Sequence, residues 1–250
     1  GGFFLGLSIL SKGPVSLYAL FLPFILAYFL SFKINVKTHI FMIIGSLIIG
    51  LIIGGSWYAY VRIADPQVFK EIAETETQNW TSYHVRPFYY YWNFFIQSGI
   101  WTIPALLSLA YPYLKNKLKE AKLYNFSFLW TIIALVLLSV IPEKKPRYLV
   151  PVLIPLAFNT ALILQYLIKN KQLKISKVFH YLHYSVIILV CLGILVTPLI
   201  IQKSQPEYWV LYSVLALFAL GITFFTFKNL KRKRYSNLFW SNILLILMIT

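Results

Sequence analysis

Several short stretches of this sequence carry side chains suited to one task, gripping an anion at the edge of an apolar phase. In Pro142–Glu143–Lys144–Lys145–Pro146–Arg147–Tyr148, three cations crowd around two prolines. Proline fixes φ, so the turn is stiff and its charges are preset. Tyr148 adds a hydroxyl donor at the entry to the apolar run that follows. Arg86 offers a planar guanidinium that can hold a phosphate through two parallel hydrogen bonds, or it is a simple interfacial anchor. It stands among Trp80, Tyr83, His84, Phe88, Tyr89, Tyr90, Tyr91 and Trp92. Those rings read either as the aromatic belt of a membrane interface or as a wall for a lipid or sugar. His84 reads as a hydrogen-bonded interfacial residue or as a group lining a substrate. Lys12, in Ser11–Lys12–Gly13–Pro14, interrupts an otherwise continuous apolar stretch. A lysine in mid-bilayer costs about 2.5–3.5 kcal/mol, so Lys12 belongs at a helix break near the surface, which Gly13 and Pro14 supply. It is either a snorkelling helix-end anchor or an anion ligand.

The elements that must position these residues are membrane helices. Of the 250 residues 59% are hydrophobic and only 12% charged, and the mean hydropathy is +0.72. Soluble domains carry roughly twice that share of charge. A crossing helix needs about 20 apolar residues, and the runs Gly13–Ser31, Ile40–Val61, Tyr91–Leu114, Leu123–Ile141, Tyr148–Ile168, Leu182–Ile201 and Tyr208–Phe227 meet that length. Strands of a membrane barrel would alternate apolar and polar residues; these runs are continuous. The expectation is an all-α polytopic transmembrane bundle of about seven full spans over residues 1–250, with partial helices at Gly1–Leu10 and Leu238–Thr250, as in a fragment of a longer chain. Gly1–Leu10 lacks the basic start and cleavage site of a signal peptide. Cys191, the single cysteine, reads as a small apolar residue in a packed helix.

The net charge of +16 invites a nucleic-acid reading, but its distribution argues against that partner. Most of the 23 basic residues fall in alternate connections: Lys33 and Lys37, then Lys115–Lys122, Lys169–Lys177 and Lys228–Arg234. The other connections hold every acid except Glu120. The positive-inside rule places the lysine-rich set in the cytoplasm, where it also attracts anionic lipid. Residues 11–13, Arg62–Tyr90, Pro142–Arg147 and Gln202–Glu207 then share the outer face. The cations of the 142–148 turn sit there against the topological bias, which points to a role in holding an anion or an anionic headgroup. Within the outer segment 62–90, Asp65–Pro66 is an N-cap and first-turn signal. Val68, Phe69, Ile72 and Ala73 then share one face of a short interfacial amphipathic helix.

Three patterns in this order resemble the polyprenyl-phosphate-sugar glycosyltransferases, the group that includes the dolichyl-phosphate-mannose protein mannosyltransferases and the bacterial lipid A aminoarabinose transferase. Leu10–Ser11–Lys12–Gly13–Pro14 is similar to the family's Thr/Ser–Lys–Gly–Pro. Arg86–Pro87–Phe88–Tyr89–Tyr90–Tyr91 is similar to its Arg/Gln–Pro–aromatic–aromatic–Tyr stretch. Lys145–Pro146–Arg147–Tyr148–Leu149–Val150–Pro151 is similar to its Lys–x–Arg–Tyr–x–x–Pro helix entry. The likeness covers about Leu5 to Leu164. It implies that Lys12, Arg86 and Tyr148 contact a lipid phosphate and that Lys145 and Arg147 help by charge; Tyr83, His84, Tyr89 and Tyr90 are the candidate substrate-lining residues of the aromatic stretch. The family's acidic catalytic residues precede residue 1, so the resemblance leaves the catalytic base unassigned and implies that the fragment alone is inactive. Glu76–Thr77–Gln78–Asn79–Trp80 departs from the more basic pattern of some members.

The resemblance thus implies an enzyme that moves a sugar from a polyprenyl-phosphate donor to an acceptor at the outer face of a bacterial cytoplasmic membrane. The bacterial source is suggested by an excess of Lys over Arg and by abundant Ile, Asn, Phe and Tyr. No cofactor is evident; the resemblance leaves room for a divalent metal, for which the sequence shows no ligand cluster. The competing readings are a transporter or flippase for a lipid-linked sugar, and a non-catalytic lipid-binding membrane subunit. Against transport, no span carries an obvious mid-membrane acid or base and no inverted repeat is clear.

Overall fold

A computed structural model describes the chain apart from Pro14, Ser16, residues 33–35, Tyr83, His84, residues 202–207 and Thr250. The side chains of Lys12, Val36, Asn79, Trp80, Thr81, Pro112 and residues 198–201 lie outside the description as well. The described residues form helices and turns without a β-strand; an isolated antiparallel bridge joins Val85 to Glu143. The chain divides into two compact units, Gly1–Leu162 and Ile163–Thr250.

In the first unit, α1 (Gly2–Lys12) leads through a π-helical turn (Leu17–Phe21) into α2 (Leu22–Phe32). There follow α3 (Val36–Ala64), α4 (Pro66–Ser82), two 3₁₀ segments (Phe88–Tyr91 and Phe94–Trp101), α5 (Thr102–Ser108), α6 (Tyr111–Leu114) and α7 (Ala121–Val140). A further 3₁₀ turn, Pro146–Leu149, opens α8 (Val150–Lys169), which runs on into the second unit. The second unit continues with α9 (Lys174–Ile201), α10 (Trp209–Lys231) and α11 (Tyr235–Ile249).

Among the described residues five helices are long and apolar enough to cross a membrane: Lys37–Ala64, Ala121–Val140, Pro146–Lys169, Lys174–Thr197 and Trp209–Lys231. Two of the expected spans take another form. Within the run Gly13–Ser31, where Pro14 and Ser16 lie outside the description, the described apolar helix is Leu17–Phe32, about 24 Å at 1.5 Å per residue against a core of roughly 30 Å. Its π turn lies just before Pro23, where proline has no N–H to donate and its ring crowds the carbonyl one turn back. The run Tyr91–Leu114 does not form one helix. Gly99 takes φ 59° and kinks the 3₁₀ segment, and the chain re-forms as the short helices α5 and α6.

The helix expected after Asp65 is present and longer than a short one, Pro66–Ser82. The Asp65 carboxylate accepts a hydrogen bond from the Val68 amide at 3.1 Å, which satisfies one of the amides left open at a helix start.

Helices α1 and α3 pack along each other through glycines spaced one turn apart. A Cβ on Gly6 would lie 2.5 Å from Ile53 Cβ, one on Gly54 would lie 2.6 Å from Ile9 Cβ, and one on Gly50 would lie 2.9 Å from Leu5. Each glycine is therefore a notch filled by a branched side chain of the other helix. In lipid, helices associate by such close van der Waals contact, and the spacing Gly2/Gly6 against Gly50/Gly54 provides it. Polar pairs fasten other helices. Ser127 donates to Asn159 at 2.6 Å across α7 and α8, and Asn125 donates to Ser31 at 3.0 Å across α7 and α2. Within the second unit Thr226 donates to Ser241 at 2.9 Å, and buried His183 lies 3.1 Å from Asn242.

Filling the α1–α3 notches should separate these helices. Gly6→Ile or Gly54→Ile is expected to cost about 1–3 kcal/mol, the usual penalty of overpacking. The check is the unfolding temperature in detergent. Gly55→Ala, whose added Cβ meets nothing within 4 Å, should leave that temperature unchanged or raise it.

Candidate functional site

The site is built on the turn that joins α7 to α8. At the end of α7 the last carbonyls have no amide to receive. The Lys144 ammonium turns back onto them, donating to the Ser139 carbonyl at 3.0 Å and to the Ile141 carbonyl at 2.5 Å. Its side chain is buried, and that burial lowers the lysine pKa below its ordinary value. Positive charge at a helix C-terminus is favoured by the helix dipole as well. Lys145 points elsewhere and pairs with the buried Glu143 carboxylate at 2.5 Å. The hydrogen bond to Glu143 raises the Lys145 pKa, against the smaller opposing effect of burial.

This turn gathers residues distant in sequence. Val85 bridges to Glu143, and the Arg86 amide donates to the Pro142 carbonyl at 3.4 Å. The Tyr91 hydroxyl donates to the Lys145 carbonyl at 3.0 Å. Tyr91, Phe94, Leu149 and Val152 belong to one buried apolar cluster with Leu135 and Leu138 of α7, against which Tyr90 and Tyr148 are half-buried. Arg147 lies over the Tyr148 ring at 6.0 Å and Lys145 over the same ring at 5.9 Å, the range of a cation–π contact.

Beside the turn is a cavity of about 780 Å³. The end of α1 reaches it through Ser11 and Gly13, α3 through Trp57 and Tyr58, α4 through Glu76, and the turn through Glu143 and Tyr148. Gly13 takes φ +66° where α1 ends, a conformation that costs glycine little and other residues more. Tyr18, after the break, lines the same space. The cavity is thus apolar and aromatic with a few polar groups, the usual make-up of a small-molecule or lipid pocket.

Of the residues singled out from the sequence, Tyr148 lines the cavity, and the neighbours of Lys12 on both sides do so. The Lys12 side chain, Tyr83 and His84 lie outside the described residues. Arg86, Lys145, Arg147, Tyr89 and Tyr90 are not among the described lining residues; Arg86 and Lys145 stand next to the lining through their bonds to Pro142 and Glu143. Arg86, Arg147 and Tyr89 are exposed. Lys144 acts as a helix cap, so the turn does not present three equivalent cations. An incoming phosphate would share Lys145 with Glu143.

Glu143, Glu76, Tyr18, Trp57 and Tyr58 line the cavity without having been singled out. The acid inside a cation-rich turn was the available signal for Glu143; Trp57 and Tyr58 follow the glycine notches on α3. Among the described residues no three His, Cys, Asp or Glu side chains gather to hold a metal ion. Glu143 is engaged by Lys145. Comparison with protein-family models, with curated proteins and with solved structures finds no match to this chain.

Lys144→Met keeps the length and removes the cap. It should cost about 1.5–3 kcal/mol, the worth of hydrogen bonds to a charged donor, seen as a lower unfolding temperature in detergent. The Glu143–Lys145 pair should also give an alkaline stability loss. Because the folded-state pKa of Lys145 is raised, its contribution is complete below the unfolded lysine value of about 10.4 and fades as pH rises through the folded value. Glu143→Gln should flatten that loss. Equal stability of Lys144→Met and the parent protein would contradict the capping role.

Proposed function

We propose that this chain is the lipid-phosphate-binding part of a membrane glycosyltransferase that uses a polyprenyl-phosphate-linked sugar. The observation that carries the reading is convergence. The end of α1, the Arg86 segment and the 142–148 turn bear the three patterns that resemble that family; the first and third line one cavity, and the Arg86 segment bonds to the turn beside it. Convergence of residues so far apart in sequence is what a shared ligand requires.

The chemistry follows from the charge that develops. Transfer of the sugar to an acceptor hydroxyl or phosphate breaks the bond between the sugar and the phosphate oxygen, and the polyprenyl phosphate leaves with added negative charge. Preorganised cations aimed at that charge lower the barrier. Arg86, Lys145 and Arg147 supply cations in this neighbourhood, and the Tyr148 hydroxyl supplies a donor; the resemblance adds Lys12. The aromatic walls from Trp57, Tyr58 and Tyr18 suit an isoprenoid or a sugar face. A general base for the acceptor is not assigned to a residue of this chain. The location that goes with this reading is a bacterial cytoplasmic membrane, with the cavity on the outer face.

A transporter of the same lipid-linked sugar is the second reading. Its support is His180 and His183, buried in α9, ionisable groups of the kind that mark ion or substrate pathways within membranes.

Native mass spectrometry of the detergent-purified protein with undecaprenyl phosphate separates these possibilities. Tyr148→Phe, Lys12→Ala and Arg147→Ala should each weaken retention by about tenfold or more, as expected for loss of a charge-assisted bond, and His183→Asn should leave it unchanged. Equal retention by all variants would make these residues interface anchors. Transbilayer movement of the lipid in proteoliposomes, lost in His183→Asn, would favour the transporter.

A further inference from the structure

The second unit contains a groove that the proposed function does not use. Its volume is about 710 Å³, and its walls are apolar: Val214, Phe218, Gly221 and Phe225 of α10 face Leu244 and Leu247 of α11. From Val214 to Phe225 the groove runs about 16 Å along the helix axis at 1.5 Å per residue, close to the depth of one leaflet of a roughly 30 Å core. Residues 214, 218, 221 and 225 recur at the spacing of one helical face. Lys228 continues that series, and Arg232 at the helix end follows it. Two cations therefore stand at one end of an apolar channel of leaflet depth, Lys228 about 4.5 Å along the axis beyond Phe225.

These cations are not needed to close the helix. The Arg234 amide donates to the Asn229 carbonyl at 3.0 Å and the Lys233 amide to the Leu230 carbonyl at 3.1 Å, the paired bonds of a backbone C-cap. The Arg232 amide donates to the Lys228 carbonyl at 3.1 Å. The contrast with α7 is direct, because there a lysine side chain does the capping. The left-handed cap position, usually glycine, is held by Lys233 at φ 52°. A side chain is thus kept where the backbone would favour none. Lys228, Lys231, Arg232, Lys233 and Arg234 are all exposed, and residues 208–250 contain no Asp or Glu to pair with them.

We propose that this groove binds an anionic glycerophospholipid, its acyl chain along Val214–Phe225 and its phosphate at Lys228 and Arg232. The occupant must be apolar over the length of the channel and anionic at the basic end. A phospholipid from the leaflet that the positive-inside rule assigns to this turn meets both conditions, and juxtamembrane cations are attracted to such lipids.

The test is native mass spectrometry of the detergent-purified protein titrated with phosphatidylglycerol and, separately, phosphatidylcholine of identical acyl chains. Phosphatidylglycerol should be retained preferentially. The double variant Lys228→Gln/Arg232→Gln should lose about twenty-fivefold of that preference, about fivefold per cation. Gly221→Leu should displace the bound lipid while leaving the fold intact, because an added Cβ there meets nothing within 4 Å. Equal retention of the two lipids, a preference that survives the double variant, or binding that survives Gly221→Leu would each overturn the proposal. So would a protein dimer that holds no lipid and is abolished by Gly221→Leu, since the groove would then be an interface between copies.

Discussion

The carbonyls that end α7 must be satisfied where the chain leaves the apolar phase, and Lys144 satisfies them. Much of the first unit depends on that requirement. With the Lys144 ammonium turned inward onto Ser139 and Ile141, its neighbours on either side are free to meet each other, and Glu143 pairs with Lys145. The turn then offers its backbone to the segment arriving from α4, through the Val85 bridge and the Arg86 amide. Tyr91 closes the arrangement by bonding the Lys145 carbonyl while its ring is buried in the apolar cluster beneath. A buried lysine is expensive unless its hydrogen bonds are made; here they are made to backbone, and the same bonds fix the turn.

The opposite wall of the cavity depends on a different force. Lipid tails are as apolar as leucine, so α1 and α3 gain little from burying carbon away from lipid and gain instead from fit. Ile53, Leu5 and Ile9 set into Gly6, Gly50 and Gly54 hold the end of α1 against the part of α3 that carries Trp57 and Tyr58. A polar turn and a glycine zipper, sharing no residues, thus define two sides of one space.

Much of this was legible in the sequence, and the failures have identifiable causes. The continuous runs of α3, α7, α8, α9 and α10 were readable because hydropathy and length alone decide whether a helix can cross. The Asp65 cap was readable because its signal is local. Tyr91–Leu114 misled because hydropathy counts side chains and is blind to the backbone: Gly99 takes a positive φ, and the run becomes short helical pieces. Lys144 and Lys145 are the same residue type one position apart, yet one is a buried cap and the other an ion-pair partner. Composition sees only their charge, whereas the direction of each side chain is set by the α7 terminus. The Gly2/Gly6 and Gly50/Gly54 spacing was in plain view, but its meaning depends on which helix comes to lie opposite. His180 and His183 escape notice because each, read alone, is an ordinary residue of a helix end; the burial of His183 beside Asn242 and of His180 against Tyr235 is a property of the packed unit.

The convergence around the cavity is most directly tested by photocrosslinking. A polyprenyl phosphate carrying a diazirine on the carbon next to the phosphate would be irradiated with the protein in detergent and the labelled peptides mapped. Labels concentrated in residues 11–18, 57–61 and 143–148, and suppressed by excess unlabelled polyprenyl phosphate, are the expected result. Labels spread over lipid-facing positions of α3 and α10, unaffected by that competitor, would contradict it.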